Sequence, residues 1–219
     1  SGIKDKVATF KFGLLPFLIL VGVVGAILLS QPDTDTFGVI VLSGIAMYLS
    51  AGGRWKDIAI LFLAGIIAFG ALAYSRPYLM ERVLTFMNPA ADPLGSGYQV
   101  QQSLIAIGSG QVFGRGFGQS IQKFSYLPEP TSDSIFAVAG EEFGFLGSSI
   151  IVILFLIFTL RGLKIAADAQ DPFGRLLVVG IVILIVTQSF MNIASMIGII
   201  PLSGLPLLFI SHGGTAMLI

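Results

Sequence analysis

The chain has 219 residues, of which 55% are hydrophobic and 11% charged, and its mean hydropathy is +0.92. Its 12 Lys and Arg balance 12 Asp and Glu, and no block of basic residues marks a nucleic-acid partner. Cysteine is absent, which excludes disulfides and thiolate metal sites.

Six apolar runs follow one another along the chain, near residues 12–30, 37–51, 58–74, 135–160, 176–197 and 202 to the end. Most reach roughly 17 to 25 residues, the length a helix needs to cross ~30 Å of hydrocarbon. They are continuously apolar, unlike the short alternating segments of a membrane barrel. The predicted fold is therefore an all-α integral membrane protein, a multi-span helical bundle with a large, partly helical extracytoplasmic loop. Its predicted parts are three transmembrane helices over 1–74, a loop or cap over 75–134, and three further helices over 135–219, the last cut short. The chain opens on SGIKD without a Met and stops inside an apolar run, and it is expected to be a fragment. No cleavable signal peptide is visible.

Basic residues orient the spans, because Lys and Arg are retained on the cytoplasmic side during insertion. Lys4, Lys6 and Lys11 precede the first run, Arg54 and Lys56 separate the second and third, and Arg161, Lys164 and Arg175 separate the fourth and fifth. The alternate connections, QPDTDT at 31–36 and the stretch 198–203, carry neither Lys nor Arg. This pattern puts the long connection outside, although it holds Arg76, Arg82, Arg115 and Lys123, since long loops obey the charge rule poorly.

At about sixty residues that connection is either functional or disordered. Its aromatic and aliphatic residues, among them Tyr98, Ile105, Phe113, Phe117 and Phe124, argue that it folds. Pro and Gly punctuate it at 88–97 and 108–118, leaving room for a helix around 98–107 that carries Gln102. A compact cap resting partly in the lipid interface is expected.

Four acids cluster in YLPEPTSDSIFAVAGEEFG, residues 126–144: Glu129, Asp133, Glu141 and Glu142. Asp133 just precedes an apolar span, so it is either a helix cap or a functional carboxylate presented by the stiff PEPTSD segment. Glu141 and Glu142 fall about two turns into that span, where facing lipid would cost roughly 2.5–3.5 kcal/mol each. They must face protein or water, either as partners of a cation or backbone group or as a polar wall below Asp133. Glycines 140, 144 and 147 argue for close helix contact. Asp33 and Asp35 read as a solvated turn capping the second span, with Asp33 also able to face the cavity of Asp133. GRGFGQS lacks the strand and the Gly-Lys-Ser/Thr of a nucleotide loop and reads as turns. His212, the sole histidine, excludes a multi-histidine metal site.

Taken together, QPDTDTFGVIV, the stretch from RVLTFMNPAADPLGSGYQ to GEEFGFLG, and GIIPLSGLPLLFISHGG resemble the FtsW/RodA family of bacterial cell-wall polymerases in order and approximate spacing. SGYQ, the Gln122–Lys123 pair and the short step to YLPE look more like FtsW than RodA. The family has ten spans, and this chain resembles spans five to ten. The charge-derived orientation agrees with the family's extracytoplasmic loop between spans seven and eight. Two departures occur: Thr131, Ser132, Asp133 and Ser134 stand where the family usually reads His-Thr-Asp-Phe, and Ser211, His212, Gly213 and Gly214 where it reads Ser-Tyr-Gly-Gly.

The resemblance implies a glycosyltransferase of the bacterial cytoplasmic membrane that polymerises lipid II in cell division or cell-wall synthesis. Its essential aspartate falls on Asp133, as general base of an inverting displacement. Lys123, Arg76, Arg82 and Arg115 are the candidate pyrophosphate ligands, with Gln102 and Glu129 as further substrate contacts and Glu141, Glu142 and Asp33 as supporting polar groups. A divalent cation, Mg or Mn, could share the charge, although no ligand spacing demonstrates one. Implied partners are lipid II, the membrane, a class B penicillin-binding transpeptidase and other division proteins. The alternatives are a lipid II flippase or transporter, with Glu141 and Glu142 along its path, and a non-catalytic division scaffold. The fragment alone is expected to be inactive.

Overall fold

The computed structural model describes residues 7–88 and 95–212. Lys4 and Lys6, the Pro-rich stretch 89–94, Gly213, Gly214 and the rest of the expected last span lie outside them. Every regular element among the described residues is helical: α1 (Leu15–Ser30, entered through a π-helical turn Phe10–Leu14), α2 (Thr34–Ser50), α3 (Trp55–Ser75), α4 (Pro77–Met87), α5 (Ser96–Ser109), α6 (Gln122–Ser125), α7 (Ile135–Asp168) and α8 (Pro172–Met196). Three stretches, Phe10–Ser30, Ile135–Asp168 and Pro172–Met196, are long and apolar enough to cross a membrane, and α2 is a shorter apolar helix.

Two compact units emerge, one of residues 1–71 with 157–187 and one of residues 72–156 with 188–219. In the first, α1 and α2 form a hairpin whose turn is closed by Asp33, the side chain of which accepts from the Thr36 N–H at 3.1 Å. Small residues let the two helices approach: a Cβ on Gly25 would stand 2.9 Å from the Phe37 ring, and one on Gly44 equally close to Phe17. At the foot of α2 the Tyr48 hydroxyl and the Arg54 guanidinium both donate to Asp57, at 2.7 Å and 3.1–3.2 Å, so this buried carboxylate is paired.

The second unit holds α4, α5, α6, the first part of α7 and the last turns of α8. Ala106, Leu127, Ala137 and Val138 form its small core with Ile107 and Ile135. Here α5 presses on α7 so closely that a Cβ on Gly110 would meet the Gly140 carbonyl. Such an approach needs glycine on one side.

The run expected to be one uninterrupted fourth span is broken. Gly144, inside α7, sits at φ 67° and ψ −163°, a conformation that ends helical hydrogen bonding on both sides of it. An intact helix would join the N–H groups of Phe145 and Leu146 to the carbonyls of Glu141 and Glu142. Instead the segment 111–116 enters the gap. Phe145 and Leu146 donate to the carbonyls of Gln111 and Val112, at 2.8 and 3.1 Å, while Arg115 and Gly116 donate to those of Glu141 and Glu142, both at 2.9 Å. Four backbone groups released by the break thus all find partners, as groups hidden from water must. The GSGQVFGRGFG stretch is therefore a strap stitched through a helix.

The sixth expected span also differs over its described part. Residues 202–212 are not helical. Pro206 lacks the N–H that a helix interior requires, and its carbonyl instead accepts from the Gln188 side chain at 3.3 Å.

Candidate functional site

The segment between α6 and α7 is a tight loop built on Glu129, a residue in the left-handed region at φ 45°. Its carbonyl accepts from the N–H groups of Ser132 and Ser134 at 3.2 and 3.1 Å, which curls PEPTSDS around Asp133. Outside anchors hold the curl. Ser134 donates to the Pro128 carbonyl at 2.8 Å and accepts from Gln99 of α5 at 3.1 Å. The Ser132 carbonyl accepts from the Ser211 hydroxyl, and the Thr131 carbonyl from the His212 N–H, both at 2.7 Å. The Asp133 carbonyl accepts from Asn192 of α8 at 2.7 Å. α5, α8 and the segment after α8 therefore converge on four consecutive loop residues, Thr131 to Ser134.

The carboxylate of Asp133 is half-buried. Among the described residues it takes one hydrogen bond, from the Ser132 hydroxyl at 2.9 Å, and forms no ion pair. No N–H of α7 donates to it, so the capping alternative gains no bond. Gly204 borders its other oxygen: even an added Cβ there would lie 3.7 Å from Oδ2. Among the described residues, this carboxylate thus stands without a cation on a loop anchored from α5, α8 and the segment after α8.

Glu141 and Glu142 are the opposite case. Glu141 is 1% exposed and accepts from the Ser120 hydroxyl at 2.6 Å and from the N–H groups of Ile121 and Gln122 at 3.2 Å, with Arg115 at 3.3 Å. Glu142 pairs with Lys123 at 2.5 Å. Their carboxylates and carbonyls both grip segment 115–123, so they act as partners of cations and backbone.

Of the other residues singled out from the sequence, Glu129 shares the Asp133 loop and Gln102 is half-buried on α5. Arg76 precedes α4, and Arg82 on α4 stands 4.6 Å from the Tyr78 ring. Arg82 also borders a small groove of about 80 Å³ lined by Thr85, Phe86, Val100, Leu104, Gly198 and Leu202. Asp33 belongs to the other unit, where it caps α2. Among the described residues no three His, Cys, Asp or Glu side chains gather as metal ligands. Sequence reasoning missed Asn192, Gln99, Ser120 and Ser211. Asn192 had a signal, since it is one of two amides, with Gln188, inside an apolar run, where unpaired polar groups are costly.

Comparison with known proteins gives a consistent picture. A family model described as "Cell cycle protein", FTSW_RODA_SPOVE, matches residues 3–219. Stage V sporulation protein E of Bacillus subtilis is 42% identical over 214 residues, covering 98% of this chain and 58% of that protein. A probable peptidoglycan glycosyltransferase FtsW of Geobacter sulfurreducens is 40% identical over 216 residues, covering 99% of this chain and 58% of its own length. The chain thus spans 58% of these curated relatives. A solved chain from work on "Structural coordination of polymerization and crosslinking by a peptidoglycan synthase complex" superposes with a TM-score of 0.70 at 24% identity, over 95% of this chain and 57% of that one, a likeness of fold.

Proposed function

This chain belongs to the FtsW/RodA/SpoVE family of cell cycle proteins, and from that premise we propose that it is the part of a peptidoglycan glycosyltransferase that supplies the general base, Asp133. The names of its FtsW relatives support the reaction class. The observation that carries the assignment is the contrast between carboxylates: Glu141 and Glu142 are ion-paired, whereas among the described residues Asp133 has one hydroxyl bond and no cation.

Asp133 takes the proton of the 4-hydroxyl on one lipid II unit. The freed oxygen attacks C1 of the second sugar, the C1–oxygen bond to pyrophosphate breaks, and undecaprenyl pyrophosphate leaves with the electron pair. An α-linked donor and a β-1,4 product make this one inverting displacement, so a single carboxylate suffices. Arg76, Arg82, Arg115 and Lys123 are the candidate ligands for the departing charge. Arg115 and Lys123 would exchange Glu141 and Glu142 for phosphate oxygens. The reaction belongs at the outer face of the bacterial cytoplasmic membrane, with a class B penicillin-binding transpeptidase as partner.

The test supplies labelled lipid II to the full-length protein with its transpeptidase and compares Asp133→Asn with wild type. Polymer from wild type and a loss of about a hundredfold or more in the variant is expected, the scale of removing a positioned base. Wild-type polymerisation by Asp133→Asn would overturn the assignment.

A further inference from the structure

We infer that Asn192 is a positioning residue that fixes the height and direction of the Asp133 carboxylate, an inference that rests on the reading of Asp133 as the base. Asn192 is completely buried on α8. Its side-chain nitrogen has two hydrogens, and both are used: one goes to the Asp133 carbonyl and the other to the Leu205 carbonyl, each at 2.7 Å. These carbonyls belong to two non-helical segments, the loop before α7 and the chain after α8. Neither segment has a ladder of its own at that point, so one amide fastens both to a helix.

Three features separate this amide from ordinary packing. First, its Oδ1 is buried and has no hydrogen-bond partner among the described residues, so the side chain is held there by its donors alone. A leucine would fill similar space without burying a free oxygen. Second, Asn192 bonds residue 133 itself, while Ser211 and Gln99 bond its neighbours Ser132 and Ser134. Third, among the described residues the Asp133 carboxylate has only the adjacent Ser132 hydroxyl to orient it, so its direction is inherited from the backbone at 133.

The second carbonyl gives the clamp its meaning. Leu205 follows Gly204, the residue bordering Oδ2 of Asp133. By holding residues 133 and 205 at once, Asn192 sets the gap between the carboxylate and the chain facing it. A reacting hydroxyl must lie within hydrogen-bond reach of the base, and a shift of about 1 Å can cost about a hundredfold in rate.

The experiment uses the full-length protein with its transpeptidase and compares wild type with Asn192→Leu, which keeps the branched outline and deletes both donors, and Asn192→Ser, which keeps a single donor. Lipid II bound per protein molecule is measured alongside kcat and KM, so that rates refer to folded, substrate-binding molecules. For Asn192→Leu we expect kcat to fall by about tenfold to a hundredfold. KM should stay within about threefold and substrate stoichiometry intact, as for an interaction needed in the reaction and not for binding. Asn192→Ser should fall between, with partial rescue by its hydroxyl. A kcat within about twofold of wild type in both variants, or a loss carried wholly by KM or by fewer binding-competent molecules, overturns the inference. If Asn192→Leu does not accumulate, Asn192→Ser carries the same decision. Asp133→Asn separates the two levels: inactive Asp133→Asn beside fully active Asn192 variants sinks the clamp alone, whereas active Asp133→Asn sinks the base assignment.

Discussion

Asp133 and Glu141 are the same functional group in opposite surroundings, and the difference predicts opposite mutational behaviour. Glu141 satisfies one hydroxyl, two backbone N–H groups and a guanidinium. Truncating it to Ala strands those donors, and an unsatisfied buried donor costs about 1–3 kcal/mol. Glu141→Ala should therefore lower the thermal unfolding midpoint of the detergent-solubilised protein, with Glu141→Gln milder because it keeps an acceptor. An unchanged midpoint in Glu141→Ala would contradict the packing role. Asp133→Asn removes no ion pair and should leave that midpoint close to wild type while activity is lost. The sequence alone could separate these acids only halfway. It set Asp133 at the head of an apolar run and the glutamates inside it, but the partners of Glu141 lie 20 residues or so back along the chain, too far for local spacing to reveal.

At the scale of elements, the break in α7 is the feature that periodicity concealed. Residues 135–160 are apolar enough to read as one span, and backbone-to-backbone bonds leave no mark on side-chain pattern. The glycines were legible as close approach, and Gly140 does meet Ile107 tightly. Gly144 serves differently, through its left-handed φ. A Cβ there would clash with the Gly114 nitrogen, besides the strain of about 1–3 kcal/mol for a side chain in a sparsely populated conformation. Gly144→Ala should expel the strap, and because the strap contains Arg115, limited trypsin digestion of the full-length protein should cut there faster than in wild type. Equal cleavage rates would show that the break tolerates a side chain.

For the whole molecule, hydropathy located the helices well, because the spans are long and bilayer thickness sets their length. It erred over 202–212, where proline and a set of loop hydrogen bonds outweigh an apolar composition. Orientation has a direct test in a full-length background in which any cysteine outside this stretch, which has none, is replaced by serine. Phe113 is 81% exposed on the strap, and Ala167 lies near the end of α7, in the connection rich in Lys and Arg. In intact cells a membrane-impermeant maleimide should modify Phe113→Cys of the full-length protein and spare Ala167→Cys. The reverse pattern would turn the molecule over and remove the proposed reaction from the outer face.

Ribosomes deliver residue 116 well before residue 141, so the strap's two donors and two acceptors are made first and must wait, unmated, until the matching stretch of α7 emerges. On the α7 side the N–H groups of Phe145 and Leu146 could first pair with the carbonyls of Glu141 and Glu142, as in an unbroken helix, so the strap must replace that pairing as it enters. Assembly of the strap is thereby timed to the arrival of the fourth apolar run, and a nascent chain halted between these points would hold it without its partners.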